Sequence, residues 1–227
     1  MNRKPVVTID GPAGAGKSTI SREVARRLCF LYLDTGALYR AVAYGLTVRG
    51  YSGNDAELAG LCRSLRVELQ NRDGELRVSV DGEEVTGKLR TEEIGILAST
   101  VSASPAVREA LLSLQRDIAA EGGVVAEGRD MGTVVFPGAE VKFFLDASVE
   151  ERAERRYREL IGKGERTSLA EVTRGIVIRD RQDRERAVSP LRVPPDARII
   201  DTTGKPIPQV VDIMMRILED AGASPAR

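Results

Sequence analysis

Gly11-Pro-Ala-Gly-Ala-Gly-Lys17-Ser18 has residue types and spacing that can do chemistry, because it fits G-x-x-x-x-G-K-[ST] with no mismatch. Its glycines let the backbone curl until successive N–H groups point inward at an anion. A helix opening at the end of the loop adds the positive end of its dipole. Lys17 has the length to reach β- and γ-phosphates, and the Ser18 hydroxyl can ligate Mg²⁺. The plainer alternative is a glycine turn that only joins a strand to a helix. Val6-Val-Thr-Ile9 before the loop and Ile20, Val24, Ala25 and Leu28 after it supply the strand and the amphipathic helix that a phosphate site needs.

Other charged residues stand just beyond apolar runs. Glu127 follows Val124-Val-Ala126, where a carboxylate can sit beside a phosphate-bound Mg²⁺; the other reading is a surface acid. Arg40 and Arg129 also lie close to such ends, and two guanidiniums there point to a second phosphate opposite the first. Arg179, Asp183 and Arg186 are spaced i, i+4, i+7 and share one helix face. Spacing alone leaves that face open between a binding surface and an ion-pair ladder, since Asp180, Arg181, Arg184 and Glu185 crowd the same helix. Arg152, Arg155 and Arg156 precede Gly162-Lys-Gly164. Helix, glycine-flanked break and helix make either a lid that swings Arg onto a transferring phosphate or a solvated basic face.

A scaffold must bring these residues together. Val6-Val-Thr-Ile9, Phe30-Leu-Tyr-Leu33, Val124-Val-Ala126, Val141-Lys-Phe-Phe-Leu145 and Ala197-Arg-Ile-Ile200 read as buried strands. Helical patterns alternate with them: Leu38, Val42 and Leu46 behind a Thr35 N-cap; Leu58, Leu61, Cys62 and Leu65; Val107, Leu111, Leu114 and Ile118 behind Ser104-Pro105; and Val210, Met214, Ile217 and Leu218. Ser148 with Glu151, and Ser168 with Glu171, predict capping boxes. The alternation predicts a parallel sheet covered on both faces. Ligands of such sheets lie at the carboxyl ends of strands, so residues 11–18, 34–40, 127–130 and Asp146 are expected on one edge. Val67-Glu-Leu69, Leu76-Arg-Val-Ser-Val80 and Glu83-Glu-Val-Thr86 break the pattern as short strands, with hairpin signals at Asn71-Arg-Asp-Gly74 and Asp81-Gly82. They read as a small antiparallel insert over residues 66–88, too small to fold alone.

The chain has 227 residues, 34 Lys and Arg against 34 Asp and Glu, two Cys and no His. That length fits one domain with excursions. Zero net charge argues against a bulk nucleic-acid or membrane-surface binder, and no apolar run approaches a membrane span. The N-terminus lacks a signal peptide's apolar segment, and Cys29 and Cys62 read as core thiols, so a cytoplasmic location is expected. Without His, imidazole bases and most catalytic zinc sites are excluded. Phosphoryl transfer survives, because it relies on positioning and charge.

Together, Ile9-Asp-Gly-Pro-Ala-Gly-Ala-Gly-Lys17, Asp34-Thr-Gly-Ala-Leu-Tyr-Arg40, Val107-Arg-Glu-Ala-Leu111, Glu127-Gly-Arg-Asp-Met-Gly-Thr-Val-Val-Phe-Pro137, Phe144-Leu-Asp-Ala147 and Arg184-Glu-Arg-Ala-Val188 resemble the bacterial cytidylate kinases, in the nucleoside monophosphate kinase group. The resemblance runs from Val6 to about Ile217, and the insert is similar to the extra subdomain of the family's long form. It implies a P-loop NTPase-type α/β fold with a five-stranded parallel sheet of order 2-3-1-4-5, helices on both faces, the antiparallel insert and a helical lid. One kinase domain would span residues 1–227, with the acceptor region at about 36–120 and the lid at about 155–168.

The implied activity is phosphoryl transfer from ATP to CMP and dCMP with Mg²⁺, by a monomer that binds neither nucleic acid nor membrane. The resemblance puts ATP on Gly11, Pro12, Ala13, Gly14, Ala15, Gly16, Lys17, Ser18 and Thr19, and Mg²⁺ at Ser18 and Glu127. It puts the CMP phosphate on Arg40, Arg129 and Arg186, phosphate and ribose near Arg179 and Asp183, and cytosine on Ser99, Arg108 and Asp130, with Thr35 and Tyr39 in the same site. Lys17, Arg129, Arg155, Arg179 and Arg186 would act on the moving phosphoryl group. Thr35 stands where relatives often have Ser and Glu127 where some have Asp; hydroxyl and charge are kept.

Rival readings differ in testable features. A kinase for UMP or another small acceptor shares every phosphate feature. A GTPase-type switch needs an Asn-Lys-x-Asp guanine reader, which is absent, and the Asp-x-x-Gly from Asp201 to Gly204 comes too late for a switch. A nucleotide-binding interaction protein without chemistry gives no reason for arginines at both the acceptor side and the lid.

Overall fold

The computed structural model describes residues 3–72 and 75–223. Val6–Asp10 (β1) is buried along its whole length and leads through the glycine loop into Lys17–Leu28 (α1). The chain continues through β2 (Leu31–Asp34), α2 (Thr35–Val48), α3 (Asp55–Ser64), β3 (Val67–Arg72), β4 (Glu75–Val80), β5 (Glu83–Glu84), α4 (Glu92–Val101), α5 (Pro105–Ile118), β6 (Val124–Gly128), β7 (Val141–Asp146), α6 (Val149–Gly162), α7 (Leu169–Glu185), β8 (Arg198–Asp201) and α8 (Ile207–Asp220).

The main sheet runs β2-β6-β1-β7-β8 with every neighbouring pair parallel. Numbered by its own strands in chain order, this is 2-3-1-4-5, as the resemblance implied. The inner strands β1, β6 and β7 are buried on both faces and correspondingly apolar, but β8, expected to be buried, is an edge strand in which only Ile200 is buried and Ile199 is exposed. Ile20, Val24 and Leu28 of α1 and Val210, Met214 and Leu218 of α8 pack on Val7, Ile9, Val125, Phe143 and Leu145. Opposite them, α2, α3 and α5 pack Leu38, Val42, Leu58, Cys62, Val107 and Leu111 on Val6, Leu33, Val124 and Ala126.

The insert forms a second, antiparallel sheet, β3-β4-β5. It is too small to bury a core of its own and instead packs Val78, Val80, Val85 and Leu89 against Ala41 of α2. Asp81 and Gly82 have φ of 51° and 86°, as a tight hairpin turn with two left-handed residues requires. Of the other expected turn, Asp73 and Gly74 lie outside the described residues. Helices α6 and α7 form a hairpin with a separate small core of Ala153, Leu160, Val172 and Ile176.

Several local expectations need correction. Strand β2 runs one residue further than its apolar run, so the N-cap of α2 is Asp34, whose carboxylate accepts from the Ala37 N–H at 2.9 Å. Thr35 instead turns its hydroxyl to the Glu127 carbonyl at 2.6 Å. Ser168 and Glu171 close a full capping box, but Ser148 caps α6 alone because the Glu151 carboxylate pairs with Arg155 at 2.9 Å. Ser104 makes no side-chain cap; Pro105 in the first turn removes a donor that would need one. Cys29 is exposed where α1 ends in a left-handed residue, so only Cys62 is a core thiol. Helix α6 runs through Gly162, so Arg152, Arg155 and Arg156 precede the break as expected.

Candidate active site

The glycine loop has little steric freedom. At Gly11, with φ of 148°, an added Cβ would lie 2.0 Å from the Leu145 carbonyl oxygen of β7. At Gly14, with φ of 80°, it would lie 2.9 Å from Cβ of Arg152. Lys17 is only 7% exposed and donates from Nζ to the Pro12 carbonyl at 2.7 Å. Burial first, and the charge of Arg129 next, lower its pKa to about 7.

Beside it, Ser18 Oγ donates to Glu127 Oε1 at 2.7 Å. Glu127 is buried, and its Oε2 has no hydrogen-bond partner. Burial raises the Glu127 pKa, the charge of Asp34 adds to that, and Lys17 opposes it. Asp34 is set against Glu127 by the β2–β6 register, but both its oxygens are engaged, by the Ala37 N–H and by Arg40 Nη2 at 3.1 Å. A hydroxyl and a buried carboxylate with one free oxygen are hard oxygen donors of the kind that Mg²⁺ takes alongside phosphate oxygens and water, so this corner fits the ion.

Across from the loop, the end of β6 is held by Asp10. Its carboxylate accepts from the N–H groups of Met131 at 2.9 Å and Gly132 at 2.8 Å, fixing the start of a single π-helical turn over Met131–Val135. Burial raises the Asp10 pKa to about 6 against the pull of those two bonds. The turn presents Arg129 and Asp130. Arg129 Nε meets Asp183 Oδ2 at 2.8 Å. Burial alone would raise the Asp183 pKa, but Arg129, Arg179 and Arg186 outweigh it and the pKa is lowered.

Asp130 is 2% exposed and pairs with Arg108 Nη2, while Arg186 Nη2 stands 3.7 Å away. Arg108 also donates to Ser189 Oγ at 3.0 Å and the Ser102 carbonyl at 3.1 Å, and lies 5.5 Å over the Tyr39 ring. Burial pushes the Tyr39 hydroxyl up to about 12. Ser99 is half-buried near the end of α4, its carbonyl accepting from Ser102 Oγ at 2.8 Å. Arg186 Nε donates to the Ser189 carbonyl at 2.6 Å.

Cations dominate the space between the two sides. Arg179 keeps much of its area open to solvent yet stands among other guanidiniums. Burial there lowers its pKa, then the charge of Arg129, with Arg40 and Arg156 adding to it. Buried nitrogens of Arg40 (Nε) and Arg186 (Nη2) lack hydrogen-bond partners. The ion-pair ladder fails as a reading of this helix. Asp183 reaches across to Arg129 and Asp180 to Arg152, leaving Arg181–Glu185 as the exposed pair along the helix.

The three arginines of α6 divide. Arg152 is locked: it donates to the Ala147 carbonyl at 2.9 Å, the Ala13 carbonyl at 3.1 Å, and Asp180 at 2.7 Å. Arg155 holds Thr202, through its hydroxyl at 3.1 Å and its carbonyl at 2.7 Å, and Thr202 in turn donates to the Ala15 carbonyl at 3.2 Å. Arg156 pairs with Glu159 at 2.9 Å while its charge reaches Arg179.

Sequence reasoning missed the supporting roles of Asp10, Arg152, Ser189 and Thr202. Asp10 had a signal, a carboxylate closing a strand that reads as buried, because a buried acid must find partners. The others depend on contacts between segments distant in the chain.

A phosphate loop opening α1, on a parallel sheet of order 2-3-1-4-5 with an arginine-rich cleft facing it, defines a P-loop kinase. The family model for cytidylate kinase matches residues 7–220. The cytidylate kinase of Citrifermentans bemidjiense is 53% identical over 211 residues, covering 92% of this chain and 90% of that one. That of Geobacter sulfurreducens is 50% identical over 216 residues, covering 95% and 93%. The chain belongs to the cytidylate kinase family. Among solved structures, the shikimate kinase of Bacteroides thetaiotaomicron superposes with a TM-score of 0.51 at 14% identity, over 95% of this chain and 98% of that one, which is a likeness of fold.

Proposed function

We propose that the family reaction, transfer of the γ-phosphoryl group of ATP to CMP or dCMP with release of ADP and CDP or dCDP, takes place in the cleft between residues 11–19 and the arginines opposite. Backbone N–H groups of Ala13, Gly14, Ala15, Gly16, Lys17, Ser18 and Thr19 cradle the ATP phosphates, with Gly11 and Pro12 turning the chain into the loop, and Lys17 leaves the Pro12 carbonyl to meet them. Ser18 and Glu127 would hold Mg²⁺, which would supply neutralisation of phosphate charge there. Arg40, Arg129 and Arg186 bind the acceptor phosphate. Arg179 takes up charge between the two nucleotides, and Asp183 accepts from ribose hydroxyls. Asp130, Arg108 and Ser99 read the base against Tyr39, and Thr35 anchors the Glu127 strand end. Arg155 sits beside the ATP loop, and closure of the lid at about 155–168 brings it onto the phosphates.

The observation that carries this reading is the unsatisfied cationic cluster. Buried guanidinium nitrogens of Arg40 and Arg186 lack acceptors, and Arg179 is pressed by Arg129, Arg40 and Arg156. Such a cluster in a chain of zero net charge is stabilised by bound phosphate. No general base is required, since positioning and charge supply the catalysis. The working unit in this proposal is a monomer with an acceptor region at about 36–120. No helix among the described residues is long and apolar enough to cross a membrane. A cytoplasmic enzyme of pyrimidine nucleotide metabolism is the setting this chemistry fits.

The test is ADP release from ATP with CMP, dCMP, UMP, AMP, GMP and shikimate offered separately. CMP and dCMP are expected to turn over fastest, and Lys17→Ala to abolish turnover in a folded protein. Faster turnover of UMP or shikimate, or a fully active Lys17→Ala protein, would overturn the assignment.

A further inference from the structure

Tyr32 lies in the middle of β2, and its side chain shares a sheet face with the metal corner. In the parallel register Tyr32 is opposite Val125 and Asp34 is opposite Glu127. Alternation along both strands puts Tyr32, Asp34, Val125 and Glu127 on one face. That is the face covered by α1, since Tyr32 and Val125 both join the core formed with Ile20, Val24 and Leu28. Ser18, in the first turn of α1, therefore looks down on this row, and its hydroxyl bonds Glu127.

Two polar atoms of the row are buried without hydrogen-bond partners: the Tyr32 hydroxyl and Glu127 Oε2. Both belong to the row beneath Ser18, whose hydroxyl proton is committed to Glu127 Oε1. The Arg22 guanidinium lies over the ring, 5.2 Å from its centroid. A tyrosine placed only for packing costs stability through its unmade bond, and Phe would fill the same volume without that cost. Two orphan oxygen groups beside a Mg²⁺-type donor pair are what a hydrated cation would satisfy.

We infer that Tyr32 is a positioning residue for the metal corner: its hydroxyl holds water of the divalent ion bound at Ser18 and Glu127. The inference rests on the reading of Ser18 and Glu127 as the metal site. Tyr32 does not touch the nucleotide. It acts through water and Glu127, as outer partners orient ligands in other metal sites.

The experiment measures Mn²⁺ binding to the protein–ADP complex by the loss of the free-ion electron paramagnetic resonance signal, so that no turnover is needed. Tyr32→Phe is expected to weaken Mn²⁺ about fivefold, the effect of one net hydrogen bond. Metal-free ADP binding should be unchanged, and the metal-free Tm unchanged or higher. Glu127→Gln, measured in parallel, should weaken Mn²⁺ more, and the double variant should fall short of the product of the two effects. Unchanged Mn²⁺ affinity in Tyr32→Phe with weakened binding in Glu127→Gln would overturn the role of Tyr32 alone. Unchanged affinity in both would overturn the metal corner and the inference with it.

Discussion

Arg152 and Asp180 form a buried ion pair, 2.7 Å between Nη2 and Oδ2, that ties α6 to α7 while the same guanidinium holds the Ala13 carbonyl of the phosphate loop. Arg152 is 2% exposed. One side chain thus joins the α6–α7 hairpin to the glycine loop, and Gly14 is a glycine because Arg152 Cβ occupies the space beside it.

Arg152→Met should therefore act on stability before it acts on chemistry. It strands the Asp180 carboxylate in a buried place, at a cost of about 3–5 kcal/mol. In a protein of this size that lowers Tm by about 10 °C. Arg152→Met with Asp180→Leu removes both charges and should melt well above the single variant. Thermal melts of the three proteins check this; a single variant as stable as the parent would show that the pair holds nothing.

Lys17 predicts a proton taken up with nucleotide. Its folded pKa, about 7, lies below the ordinary 10.5, so between those values the unfolded chain binds more protons than the folded one. The contribution of Lys17 to the stability of the nucleotide-free protein accordingly rises with pH from about 7 to about 10.5. Phosphates favour the charged ammonium and raise the pKa, so ADP binding at pH 8 should take up part of a proton. Calorimetry in buffers of different ionisation enthalpy measures that uptake. It should vanish in Lys17→Met; equal uptake in both proteins would assign the proton elsewhere.

The phosphate loop, the five strands and their edge were legible because each is local: a run of apolar residues, then charged residues where the run stops. The antiparallel insert was legible from its turn residues. What sequence did not reveal was pairing across the chain. Arg152, Arg155 and Arg156 look alike along α6, yet one is locked to Asp180, one to Thr202, and one pairs with Glu159. Asp183 looked like a rung of a ladder until the fold brought Arg129 to it from residues far earlier in the chain. Thr35 was misread as a cap because β2 carries on to Asp34, a boundary set by the sheet register and not by the apolar run.

Asp183 should separate ribose from deoxyribose. Its pKa is held low by Arg129, Arg179 and Arg186, so it is a carboxylate throughout the physiological range and can only accept. Asp183→Ala is expected to reduce kcat/KM for CMP by about 10- to 150-fold, the worth of a hydrogen bond to a charged group, and for dCMP by less. Equal losses for both substrates would mean that Asp183 serves only to orient Arg129.

Cytosine recognition should rest on the Arg108–Asp130 pair. Cytosine presents an amino donor at N4 and acceptors at N3 and O2, whereas uracil presents an acceptor at O4 and a donor at N3. A carboxylate accepts and a guanidinium donates, so the pair matches cytosine and opposes uracil at the same positions. The structure makes the pair rigid in advance. Arg108 is fixed by Ser189, the Ser102 carbonyl and the Tyr39 ring, and Asp130 is fixed by the turn that Asp10 anchors. Asp130→Asn puts a donor where the carboxylate accepts, so it should lose activity on CMP and lift UMP relative to it. Arg108→Ala should lower CMP by about 10- to 150-fold and flatten the CMP/UMP ratio. If the pair only braces the loop after β6, the variants will melt lower with the ratio intact. Measuring kcat/KM on both nucleotides together with Tm separates the two outcomes, and an unchanged ratio in both variants would remove the base-reading role.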